Sequence, residues 1–77
     1  MEEIIFFTEK NEHGKYIARQ QETNIIQEAP SIPELRVCIQ SLYHQLSKPV
    51  LVRLYFIKER YNLTFYTKPE EVLEFFY

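Results

Sequence analysis

Residues 31–46, SIPELRVCIQSLYHQL, decide the fold, because they form the one long segment with clear helical periodicity. Apolar residues recur there at the spacing that lines one face of a helix, and they are Leu35, Cys38, Ile39, Leu42 and Leu46. Ser31 and Glu34 have the spacing of an N-terminal capping box, and Pro33 suits a first turn. The Lys48-Pro49 pair should end the helix. We therefore predict a single main helix with Leu42 at the centre of its buried face.

Three strands are predicted before this helix. Residues 3–9 are β-branched and aromatic with apolar side chains on both alternating faces, as in a central strand covered on both sides. Residues 11–14 contain the single glycine of the chain and supply a turn, after which residues 15–20 return as a more polar strand. Residues 25–28 form a short third strand.

The strongest strand pattern follows the helix, at residues 50–58, and it too is apolar on both faces. A crossover helix between parallel strands is nearly always right-handed, so this fourth strand should lie beside the first. The fold class predicted is α+β, with the order β-β-β-α-β and a mixed sheet of strand order 3-2-1-4. The helix covers one face of that sheet, and something else must cover the second face.

The last part of the chain predicts a short extended piece at residues 63–66 and a second helix at about residues 68–76. The helix is expected because residues 67–70, TKPE, repeat the capping pattern of residues 31–34. We accordingly divide the chain into a core at 1–60 and a carboxy-terminal extension at 61–77, which packs on the core or on a partner.

Composition excludes several classes of protein. A chain of 77 residues with net charge −2 has no basic excess for neutralising phosphates, so we expect no direct nucleic-acid binding. Its beginning is too weakly apolar for a signal peptide or a membrane span. The lone Cys38 permits no intrachain disulfide and fits a reducing, cytoplasmic location.

No catalytic residue, metal ligand set or cofactor motif emerges from the residue spacing, and we expect no enzyme activity and no cofactor. Four carboxylates near the predicted hairpin ends, Glu9, Glu12, Glu22 and Glu28, form a candidate patch for a basic protein partner. Ordinary solvated charge is the alternative explanation of these residues. Arg53 lies in the middle of an apolar strand, where it either extends to solvent or pairs across a protein interface.

Self-association is a further expectation from the aromatic content. The chain has six phenylalanines and six tyrosines, more apolar surface than so small a core and one helix can bury. We expect a homodimer, formed through the open sheet face or through residues 72–77.

Several segments, in order and spacing, resemble the HicB-like family of small bacterial and archaeal antitoxins. They are EIIFF at 3–7, EHGKYIAR at 12–19, IIQEA at 25–29, SIPELR at 31–36 and VLVRLYF at 50–56. The resemblance implies a partial ribonuclease-H-like fold without nuclease carboxylates. It also implies that the chain neutralises a HicA-type toxin, a small basic protein that cleaves messenger RNA. Residues 59–77 do not resemble the DNA-binding domain of full-length HicB proteins, so repression of its own operon is not implied.

The sequence therefore leaves two functional hypotheses of different classes open. One is a toxin-neutralising antitoxin that acts by stoichiometric binding, and the other is an orphan structural or regulatory module that keeps the fold but binds another protein.

Overall fold

A computed structural model describes residues 3–68, which form an α+β structure with one helix packed on a mixed five-stranded sheet. In chain order the elements are β1 (Glu3–Lys10), β2 (Tyr16–Gln20), β3 (Ile26–Ala29), α1 (Ile32–Leu42), β4 (Leu51–Phe56) and β5 (Tyr61–Tyr66). The second helix predicted at residues 68–76 falls, except for Lys68, outside the described residues.

The sheet has the strand order β3-β2-β1-β4-β5. β1 and β4 pair in parallel at its centre, and the other neighbours are antiparallel. The predicted four-stranded order 3-2-1-4 is wrong as a description of the whole sheet, because β5 adds a fifth strand beside β4. Residues 57–60 form a tight connection that turns the chain back beside β4. In it the Arg60 N–H donates to the Phe56 carbonyl at 2.8 Å, and Arg60 has φ 59°.

The β1–β2 hairpin has the turn that its sequence predicts. Gly14 adopts φ 81°, and its N–H donates to the Asn11 carbonyl at 3.0 Å. The Asn11 side chain accepts from the N–H groups of His13 and Lys15, both at 2.9 Å, which fixes the loop from within. Glycine is needed at residue 14 because L side chains rarely adopt that left-handed conformation.

The capping prediction for α1 is confirmed. The Ser31 hydroxyl oxygen accepts from the Glu34 N–H at 3.3 Å and donates to the Glu34 carboxylate at 3.1 Å. The helix ends at Leu42, however, well before Lys48-Pro49. The Ser41 hydroxyl donates to the Val37 carbonyl at 3.0 Å, a side-chain bond that competes with the regular helix pattern at its last turn.

The core lies between α1 and one face of the sheet, and its buried apolar residues are Phe6, Ala18, Ala29, Leu35, Ile39, Val52, Leu54, Phe56 and Phe65. Leu35 and Ile39 are the helix residues in this core. Leu42 is 36% exposed, so its predicted place at the centre of the buried face is wrong. Tyr43 packs against the core instead, and its hydroxyl donates to the Gln20 side chain at 2.9 Å. Burial raises the pKa of this tyrosine.

Candidate protein-binding surface

The face of the sheet opposite α1, called here the open face, is the candidate functional surface. Alternation along the paired strands places Phe6, Val52 and Leu54 against the helix and their neighbours in sequence on this second face. The apolar side chains that share it are Ile5, Phe7, Ile17, Ile26, Leu51, Tyr55 and Tyr66. Within residues 3–68 no helix or strand covers this face, although the sequence predicted that both two-sided strands would be covered.

Phe7 and Tyr55 lie at the centre of the open face. They are directly paired across the parallel β1–β4 ladder, and their ring centroids are 6.2 Å apart at an interplanar angle of 55°. Phe7 is 36% exposed and Tyr55 41% exposed. Arg19 faces Phe7 from β2, and Ile26 follows it on β3. One row of side chains thus runs across the sheet with two aromatic rings in its middle, a composition typical of protein-binding surfaces.

Arg53 lies next to this row and is held by groups of its own chain. Its guanidinium donates to the Glu3 carboxylate, with Nε–Oε1 at 2.8 Å and Nη2–Oε2 at 3.3 Å, and also to the Asn62 side chain. The hydrogen bond from Arg53 lowers the pKa of Glu3, and the same contact raises the pKa of Arg53. Arg53 was predicted either to extend to solvent or to pair across a protein interface; the structure shows an ion pair with Glu3 of the same chain on a partly exposed surface.

The four carboxylates predicted to bind a partner do not form one cluster. Glu9 and Glu28 both face Ile17, from opposite sides of β2, so they share one row of the open face with backbones about 10 Å apart. Glu12 lies in the adjoining β1–β2 turn. Glu22 lies in the β2–β3 turn, at the other end of the hairpin. Three of the four carboxylates therefore lie at one end of the sheet, and Glu22 is remote from them.

The aromatic centre of the open face was missed as a site by sequence reasoning, which selected charged residues. A signal for it was present in the alternation of β1 and β4, where apolar residues occupy both faces. What the alternation did not indicate was which of the two faces α1 would cover. Phe6 and Phe7 are adjacent phenylalanines, and the structure buries the first and exposes the second.

The two histidines lie in different parts of the fold, one in the β1–β2 turn and one just after α1. Among residues 3–68, no three His, Cys, Asp or Glu side chains come together in a group suited to a metal ion. His13 is highly exposed and lies 3.9 Å from Glu12. His44 Nδ1 lies 2.9 Å from the Ser41 carbonyl, where the imidazole partners a free carbonyl at the end of α1. Over the same residues, α1 is too short and polar to pass through a bilayer.

Neither a protein-family model, nor a curated protein, nor a solved structure matches this chain. The resemblance to HicB-like proteins therefore rests on the order and spacing of the sequence segments alone. The geometry of the open face is the independent starting point for a function.

Proposed function

We propose that this chain is a protein-binding module that acts by stoichiometric association through the open face. The observation that carries the proposal is the exposed Phe7–Tyr55 pair at the centre of a half-polar sheet face. Large apolar surface that a small protein leaves exposed marks an interaction site, and partly buried aromatic rings are the usual anchors of such sites. The surrounding Glu3–Arg53 pair and the Glu9 and Glu28 carboxylates make the polar rim.

The partner we propose is a small basic protein of the HicA type, an mRNA-cleaving toxin that this chain would neutralise in the cytoplasm by covering it, with no turnover of its own. Two points support this choice. The resemblance of residues 3–58 to HicB-like antitoxins implies such a partner. In addition, the carboxylates of Glu9, Glu12 and Glu28 lie at one end of the open face, beside Lys10 and Lys15, where they can pair with cations of a basic surface.

The same proposal includes a HicB-like, partial ribonuclease-H-like fold. What supports it is the parallel pairing of β1 with β4 through a crossover that contains α1, with β2 and β3 continuing the sheet on the far side of β1. In this proposal β5 is an addition to that fold at the edge of the sheet.

Co-expression with a HicA-type toxin, sought first among the reading frames next to this gene, tests the function. We expect a complex that co-purifies at a one-to-one ratio of subunits and growth rescue from the toxin. Phe7→Ser together with Tyr55→Ser should weaken binding by about thirtyfold or more, because truncating a central aromatic anchor costs about 2 kcal/mol or more. Val37→Ser is the matched control, since Val37 is an exposed apolar residue on the helix, away from the open face.

Charge reversal tests the role of the Glu9 and Glu28 carboxylates separately from the aromatic pair. Glu9→Lys and Glu28→Lys should each slow association and reduce its dependence on salt, since charge at a rim mainly steers encounter. Glu22→Lys makes the same change in charge at the remote turn and should have a smaller effect.

Equal binding by the aromatic double variant and the wild type would contradict the open-face proposal. A folded protein that neither binds nor rescues would contradict the antitoxin proposal.

A second candidate function is an orphan HicB-fold module that binds a protein of different charge. The specific observation in its favour is Arg19, which lies beside Phe7 in the middle row of the open face. A cation at that place suits a partner with a carboxylate opposite it, whereas a strongly basic partner would meet it with like charge. Arg19→Glu separates the two: it should strengthen binding of a basic toxin and weaken binding of an acidic partner.

A further inference from the structure

β5 is the strand at one edge of the sheet in the described part of the chain. Within residues 3–68 no strand lies beyond β5, and its sequence YNLTFY contains neither a charged residue nor a proline. Natural edge strands usually carry such residues because free N–H and C=O groups invite pairing with another chain. The opposite edge is different: β3 has only four residues, contains Glu28 and packs against α1.

The hydrogen bonds at the end of β5 indicate which backbone groups point outward. The Thr67 N–H donates to the Val50 carbonyl at 2.8 Å, so residue 67 faces β4. Antiparallel pairs alternate between hydrogen-bonded and non-bonded positions. Residues 65, 63 and 61 therefore bond to β4, whereas Asn62, Thr64 and Tyr66 direct their N–H and C=O groups away from it. A contact of the Tyr66 carbonyl supports this assignment. This carbonyl accepts a hydrogen bond from the Gln40 side chain at 2.8 Å and not from a backbone N–H of β4.

We propose that two copies of this chain pair antiparallel through β5, forming one continuous sheet across a two-fold axis. In this dimer Asn62 faces Thr64 of the partner subunit, and each facing pair exchanges both of its backbone hydrogen bonds. Leu63 then lies on the two-fold axis opposite its own copy. This register uses the outward groups of Asn62 and Thr64 and leaves the Tyr66 carbonyl with Gln40.

An antiparallel edge is self-complementary, which is what a two-fold interface requires. In the proposed function the open face binds another protein, and the Glu3–Arg53 pair lies in the rim of that surface. Pairing through β5 leaves both open faces accessible, so the dimer neither rests on the proposed function nor competes with it.

Thr64→Pro tests the pairing, because it removes an outward N–H without removing a bond to β4. Loss of that donor from both subunits should raise the dimer dissociation constant about tenfold or more. Sedimentation velocity over a micromolar concentration range measures this constant. Thr64→Val is the matched control, since it keeps the N–H and a β-branched side chain, and it should remain dimeric.

Crosslinking tests the register without depending on the proline variant. In a Cys38→Ser background, Leu63→Cys should form a disulfide-linked dimer on oxidation, because facing non-bonded pairs have Cα atoms about 4.5 Å apart. Thr64→Cys should not, since the two Cα atoms would lie about 9 Å apart. A wild-type monomer at these concentrations overturns the proposal. So does a dimer that tolerates Thr64→Pro with its circular dichroism unchanged, or one in which Leu63→Cys fails to crosslink.

Discussion

Replacing Ile39 by alanine should destabilise the protein far more than replacing Leu42, although both residues lie on the apolar side of the helix by sequence. Ile39 is fully buried, whereas Leu42 is 36% exposed. Three carbon atoms are lost from Ile39, each contributing about 0.8 kcal/mol of transfer free energy, or about 2.4 kcal/mol together. The cavity left in the core raises the expected loss to about 2–5 kcal/mol. Leu42→Ala should cost about 1 kcal/mol or less, because water fills the space.

Urea unfolding followed by circular dichroism measures both free energies. A small domain has little stability to lose, so Ile39→Val serves as a milder second variant with an expected cost of about 0.5–1.5 kcal/mol. The slope of the unfolding free energy against urea concentration should stay constant across the series. The differences between variants are then differences in stability and not in the surface exposed on unfolding. Equal costs for Ile39→Ala and Leu42→Ala, or the reverse order, would refute the placement of α1 on the sheet.

Three further changes probe local contacts. Thr67→Val should cost about 1–3 kcal/mol, because the buried Thr67 hydroxyl oxygen accepts from the Val50 N–H at 2.9 Å, and Thr67→Ser should restore most of that stability in urea unfolding. Ser31→Ala should cost about 1 kcal/mol through loss of the helix cap, and Ser31→Asp should not. Arg53 lowers the pKa of Glu3 from 4.5, so the ionised Glu3 side chain stabilises the folded protein relative to the Glu3→Gln variant. This difference in the free energy of unfolding should be complete above pH 4.5 and disappear as the pH falls through the lowered pKa, which urea unfolding at a series of acid pH values measures.

Local features of the fold were predictable and features set by distant contacts were not. The Ser31 cap and the Gly14 turn depend on residues close in sequence, and both predictions are confirmed. The buried stripe of α1 was misplaced by a small rotation. The buried side runs from Leu35 and Ile39 to the half-buried Tyr43 just after the helix, whose hydroxyl donates to the Gln20 side chain on β2. No periodicity within residues 31–46 contains that information.

The same distinction explains the candidate site. Charged residues were identified by type, but the sheet register decided that Glu9 and Glu28 share a row and that Glu22 does not. β5 was recognised only as a short extended piece at 63–66. It pairs with β4 along its whole length after a tight connection in which Arg60 has a positive φ. A positive φ is uncommon for residues other than glycine, so the identity of residue 60 does not predict it.

The parallel pairing of β1 with β4 also has a consequence for folding during synthesis. β1 can form hairpin contacts with β2 soon after both leave the ribosome, because those partners are close in sequence. Its other edge stays unpaired until residues 51–56 emerge, since Phe6 pairs with Leu54. During that interval the segment EIIFFT has a free edge and two apolar faces. Aggregation of nascent or destabilised chains should therefore begin at β1, and a charged substitution at the exposed Phe7 should suppress it.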